Sequence, residues 1–288
     1  MFFLIITILQ NVIISAVFKL FSRYNINTLQ AIATNYCVCV ITGCIFIGHS
    51  PFNTAAFQSI WFPWAILMGS VFIPLFYLIA YNTRIEGITT TTVASKLSLV
   101  IPVIFSILLY HEQVSFLKIT GILFAFPAVY YTARTKEENK KITSLFWPAI
   151  LFIGSGLLDT LINYVQRNFL PSPDVQAVYT VYGFGAAALI GVTLVIILLV
   201  LKKATFEWKN VIAGIFVGVP NYFSIYYMIR FLNSNFLHSS AAIPILNIGV
   251  VVASTLTAIL FFREKVNTLR IIGLVLSITA ILFIAFGD

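Results

Sequence analysis

The sequence predicts an all-α integral membrane protein with ten transmembrane helices, arranged as two inverted five-helix repeats. Three observations lead there. Hydrophobic residues make up 60% of the chain and charged residues 9%, against about 25% charged in soluble domains, and the mean hydropathy is +1.01. A soluble core cannot hide that much apolar surface. The 288 residues divide into ten apolar stretches, each long enough to cross ~30 Å of hydrocarbon as a helix. The chain also resembles itself at a period of roughly half its length, the mark of a duplicated unit and, in a membrane chain, of a repeat-built transporter.

The ten stretches follow in order. The first, 2–22, opens MFFLIITILQ, without the positive n-region and small-residue cleavage site of a removable signal, so it reads as a span. The second, 28–48, carries Cys37, Cys39 and Cys44. Three thiols on one apolar helix make neither a disulfide framework nor a zinc site. The third, 60–83, contains Ala65-x3-Gly69 and Pro74; the fourth, 88–110, contains Lys96 and Pro102; the fifth, 115–134, starts at Ser115 and holds Pro127. The sixth, 144–166, contains Asp159, and the seventh, 174–200, spaces Gly183, Ala187 and Gly191 one turn apart. The eighth, 209–232, contains Gly214-x3-Gly218 and Pro220; the ninth, 238–260, contains Pro244; the tenth, 267–286, starts at Asn267. Small residues one turn apart let helix backbones approach closely. Proline removes a backbone bond and kinks or interrupts a helix, and Pro102 and Pro244 mark the fourth and ninth spans as the best candidates for interruption.

The repeat is legible residue by residue. LYHEQVSFLKITG at 109–121 matches FFREKVNTLRIIG at 261–273, pairing Glu112 with Glu264, Val114 with Val266, Leu117 with Leu269, Lys118 with Arg270 and Gly121 with Gly273. Upstream, Gly69 pairs with Gly218, Tyr77 with Tyr226, and Gln30-Ala31 with Gln176-Ala177. Residues 1–142 and 143–288 therefore form two five-span units. Five crossings start the second unit on the opposite side, so the copies are expected to be inverted about an axis in the membrane plane. Inverted repeats give alternating access and place the substrate site near the midplane, between the halves. Glu112 and Glu264 read as structural marks of the repeat at span boundaries, with Ser115 and Asn267 as N-caps of the following helices.

Lys and Arg concentrate on one side, in the loops after odd spans: Arg23, Arg84, Lys202, Lys203 and Lys265 are examples. The positive-inside rule puts those loops in the cytoplasm and both termini outside. The formal net charge of +8 requires no nucleic acid; positive loops facing an anionic leaflet suffice.

Ionisable residues inside a membrane are costly and mark cavities or partners. Lys96 lies ~12 Å into the fourth span, too deep to snorkel fully. Asp159 lies two-thirds along the sixth, with Asn163 one turn later on the same face. Lys19 occupies the corresponding face of the first span and aligns with Asn163. A cavity Lys suits a carboxylate or phosphate on a substrate, and a carboxylate suits an amine or a coupling proton; alternatively Lys96 and Asp159 neutralise one another as a structural pair. Tyr77, Tyr81, Tyr222 and Asn247 are further candidates to line the cavity, with Asn82, Asn221 and Tyr226. His238 heads the ninth span.

HEQVSFLKITG and REKVNTLRIIG, each a Glu followed by a polar cap and a Gly six residues past the cap, resemble the repeated signature of the drug/metabolite transporter (DMT) superfamily in its ten-helix EamA-type branch. Length, span count and duplication extend the resemblance over the whole chain. It implies two inverted five-helix bundles, a central cavity lined by spans one, three, four, six, eight and nine, and transport of a small metabolite, often export. Relatives of this kind are described with cytoplasmic termini, against the charge count above. The family transfers no universal substrate residue, so Lys96 and Asp159 rest on the residue reading alone. The expected function is secondary transport of an amino-acid-like or other small polar or aromatic solute across the cell membrane, by a monomer or homodimer, with no cofactor and no metal. The alternative is a lipid or sugar-lipid flippase of the same superfamily. An integral membrane enzyme fits less well: it needs clustered polar residues at one interface, and His49, His111 and His238 are scattered.

Overall fold

The computed structural model describes residues 1–48, 51, 52, 54–110, 115–133, 145–232, 239–265 and 267–287. Among them the chain is all helix, without strands. Its helices are α1 (Phe2–Arg23), α2 (Thr28–Ile47), a short α3 (Thr54–Phe57), α4 (Phe62–Ile85), α5 (Ile88–Leu97), α6 (Val100–Tyr110), α7 (Phe116–Ala133), α8 (Phe146–Phe169), α9 (Pro173–Val200), α10 (Trp208–Leu232), α11 (Ser239–Phe262) and α12 (Thr268–Ala285). Among the described residues, ten helical spans are long and apolar enough to cross a membrane, with α5 and α6 together forming the fourth. Each expected span coincides with one of them. Glu112, His49, His111 and His238 lie outside the described residues.

Caps recur at corresponding places. Asn27 Oδ1 accepts from Gln30 N at the start of α2, and Ser172 Oγ accepts from Val175 N at the start of α9. Ser115 Oγ accepts from Lys118 N at the start of α7, and Asn267 Oδ1 from Arg270 N at the start of α12, at 3.1 and 2.9 Å. Each satisfies one of the orphan donors of a helix N-terminus.

Packing sorts the helices into two groups. In the first, α10 packs on α1 and α2, and α1 packs on α11; in the second, α4 packs on α8 and α9, and α8 packs on α5 and α6. Each group draws on both halves of the sequence. The partners also exchange: α2 on α10 is matched by α9 on α4, and α1 on α11 by α8 on α5. The groups meet where α2 packs on α9 and α4, α5 on α11 and α1 on α4, while α7 and α12 form the most extensive helix pair of the fold. Small residues make these contacts close. A Cβ on Gly69 would lie 2.5 Å from Gly183 O, and one on Gly214 would lie 2.5 Å from Ala31 O. The small-residue motifs read in the sequence thus lie at these contacts, α4 against α9 and α10 against α2.

The fourth span breaks at Ser98–Leu99, one turn before Pro102. The reason is local. Pro102 has no N–H for the Ser98 carbonyl, which instead accepts from Ile101 N at 2.9 Å in a tighter three-residue turn. α8 closes on that freed carbonyl at Gly156, where a Cβ would lie 2.8 Å from Ser98 O. The ninth span does not break: α11 runs unbroken from Ser239 to Phe262 through Pro244. Pro244 is the sixth residue of α11, so it withholds a donor from the Ser240 carbonyl, yet the helix continues past it.

Candidate functional site

The polar interior is built on α1 and α5. Thr7, Asn11, Ser15 and Lys19 recur at four-residue spacing and so share one stripe of α1. Asn11 Nδ2 donates to Thr7 O at 2.9 Å, and Ser15 Oγ donates to Asn11 O. The first bond orients the Asn11 amide, leaving Oδ1 to accept from Lys96 Nζ at 3.3 Å. Lys96 is half-buried near the end of α5, two residues before the Pro102-induced break.

The register that aligns Lys19 with Asn163 also aligns Asn11 with Ser155 and Ser15 with Asp159. The sixth span thus repeats the polar stripe of the first. Asp159 sits in the field of the Lys96 ammonium and beside the Ser98 hydroxyl, which donates to Ser95 O at 2.6 Å. The Asp159 side chain is exposed on α8. Ser155 is buried, and its Oγ has no hydrogen-bond partner. Asn11, Lys96, Ser98 and Asp159 thus gather at mid-depth, near the break in the fourth span, with Ser155 one turn before Asp159 on α8. Asn163 lies one turn further along α8 and is exposed, as are Gln166 and Arg167.

Lys19 belongs to a second cluster, at the end of α1. Its Nζ lies 3.1 Å from Glu264 Oε1 and donates to Thr83 O at 3.2 Å. Glu264 Oε1 also accepts from Ile88 N, the first residue of α5, at 2.8 Å.

The remaining candidates are dispersed. Asn247 is buried on α11, one turn before Val251, which packs with Val93 and Leu97 of α5. Tyr81 packs its ring on Trp147 at the α4–α8 seam, centroids 4.9 Å apart. Tyr77 is exposed on α4. Tyr222 is buried at the seam between α10 and α2, against Phe46 and the backbone of Gly43. Asn221 donates to Asn35 Oδ1 across that seam, and Asn82 donates to Trp147 O across the α4–α8 seam. Sequence reasoning missed Asn11, Ser15, Ser98 and Ser155. The signal for Asn11 and Ser15 was available, since they lie at four-residue steps before Lys19.

No family model matches the chain. A Haemophilus influenzae protein described as uncharacterized is 28% identical over 296 residues, covering 99% of this chain and 98% of that one. A solved structure described as "Crystal structure of protein" superposes with a TM-score of 0.56 at 13% identity, over 96% of this chain and 95% of that one. The likeness is one of fold, and it runs the length of both chains.

Proposed function

We propose that this chain is a secondary transporter that moves a small metabolite across the cell membrane by alternating access, and that it belongs to the EamA-type branch of the drug/metabolite transporter superfamily. The observation that carries this reading is the meeting of Lys96, Asp159 and Asn11 at mid-depth, from the fourth, sixth and first spans. An isolated cation and anion at that depth, flanked by hydroxyls, form a polar site that a packed structural core does not call for. Lys96 recognises an anionic group of the solute. Asp159 takes its amine or a coupling proton, and Asn11 and Ser98 hold the two charged groups in place.

The recurring caps and the exchanging helix partners support two inverted repeats, 1–142 and 143–288. On this reading the two packing groups rock against one another about the midplane site, with α7 and α12 as a fixed pair. The chain carries out no chemistry on its cargo. The test is flux. Proteoliposomes preloaded with a soluble metabolite extract, and assayed with and without a pH gradient, should release specific solutes faster than protein-free vesicles. Release of nothing, under either condition, overturns the reading. Movement of a labelled lipid headgroup in place of any soluble solute would assign the chain as a flippase.

A further inference from the structure

Lys19 and Glu264 do more than neutralise each other. α11 ends at Phe262, Arg263 takes a left-handed conformation (φ +51), and Glu264 N donates to Ala258 O at 3.0 Å. That bond, between residues six positions apart, turns the chain sharply and swings the Glu264 side chain back over the end of the bundle. There its carboxylate accepts from Ile88 N at 2.8 Å and reaches Thr89 Oγ1 at 3.5 Å. Lys19, at 3.1 Å from the same carboxylate, donates to Thr83 O at 3.2 Å. Lys19 and Glu264 belong to the α1–α11 packing group, whereas Thr83, Ile88 and Thr89 belong to the α4–α5 group. One ion pair thus grips the opposite group on both sides, from a position that is 8% exposed at Glu264 and 23% at Lys19.

Gly87 makes the room. Its φ is +97, and a Cβ there would lie 2.7 Å from Glu264 Oε2, so a side chain would collide with the carboxylate. The register partner of Lys19 is Asn163, which is neutral and exposed on α8.

We propose that Lys19 and Glu264 are positioning residues that form a releasable latch, holding shut the Lys/Arg-rich end of the pathway. The latch joins the two groups through contacts that water can replace when they separate. With the latch formed, the resting protein is closed at the Glu264 end. This goes beyond the transport reading, and its test does not depend on flux.

Arg23 and Arg84 are exposed at the ends of α1 and α4, one in each group. Spin labels at Arg23→Cys and Arg84→Cys, in full-length protein with Cys37, Cys39 and Cys44 replaced, report the separation at that end. The parent should give one short distance distribution. Lys19→Met, Glu264→Gln and Gly87→Ala should each add a longer component, and Lys19→Arg should restore the short one. If one variant fails to fold, the other two carry the test. Unchanged distributions in all folded variants would make the pair a helix cap and overturn the latch. Lengthened distances without solute flux would keep the latch and overturn the transport reading.

Discussion

Asn11 and Lys96 are 85 positions apart in sequence, yet the Lys96 ammonium donates to Asn11 Oδ1 at 3.3 Å. The bond ties the first span to the fourth near its middle and orients Lys96 beside Asp159. Asn11→Leu should leave that ammonium without its acceptor. Loss of a hydrogen bond to a charged group costs about 1.5–3 kcal/mol, so transport should fall about tenfold to a hundredfold. Initial rates of solute release from proteoliposomes measure it.

Lys96→Met should abolish transport while leaving the folded yield intact, because the half-buried Lys96 contributes little to packing. Asp159→Asn should keep the fold and impair binding. Gel filtration of both single variants and the double variant separates this from a structural pair. If each single change unfolds the protein and the double change restores it, the two residues are a buried pair, since stranding one charge costs several kcal/mol.

The seams should be intolerant of a single methyl group. A Cβ at Gly121 would lie 2.8 Å from Ala280 O, and one at Gly273 would lie 2.9 Å from Ala128 O. Gly121→Ala and Gly273→Ala should each destabilise by ~1–3 kcal/mol through overpacking of α7 against α12. Gly185→Ala, where a Cβ meets nothing within 4 Å, should be neutral or slightly stabilising. Thermal unfolding in detergent compares the three.

Glu86 sets a pH dependence. It caps α4, it is buried, and its Oε2 has no hydrogen-bond partner. Burial pushes its carboxyl above the usual range, and Arg270 offsets part of that rise. The folded protein therefore holds this proton to a higher pH than the unfolded chain does. The stability it contributes is present below the ordinary glutamate value, about 4.3, and is lost as pH rises through the raised one. Melting temperatures across that window should fall in the parent and fall less in Glu86→Gln.

Much of this architecture was legible in the residues. Hydropathy placed the spans because a helix must fill the bilayer. Ser115 and Asn267 were legible as caps because their side chains act within three residues. What sequence could not supply was contact between distant segments. Pro102 announced a break, but only tertiary packing shows Gly156 closing on the freed Ser98 carbonyl. Pro244 carried the same local signal, yet α11 stays whole. Glu264 read as a boundary mark. Its ion pair with Lys19, and its hold on the start of α5, required the fold to bring the first and ninth spans together. Tyr222 is polar at one end but apolar along its ring, and the ring found a place between α2 and α10.

The most direct test of the central claim is water access to the mid-membrane site. With Cys37, Cys39 and Cys44 replaced, Asp159→Cys and Lys96→Cys would be reacted with a water-soluble thiol reagent in proteoliposomes. Leu123→Cys, at an exposed apolar position of α7, is the lipid-facing control. A water-filled site between α5 and α8 requires both site cysteines to react well above the control. Labelling no faster than at position 123 would place Lys96 and Asp159 away from any aqueous pathway and contradict the account.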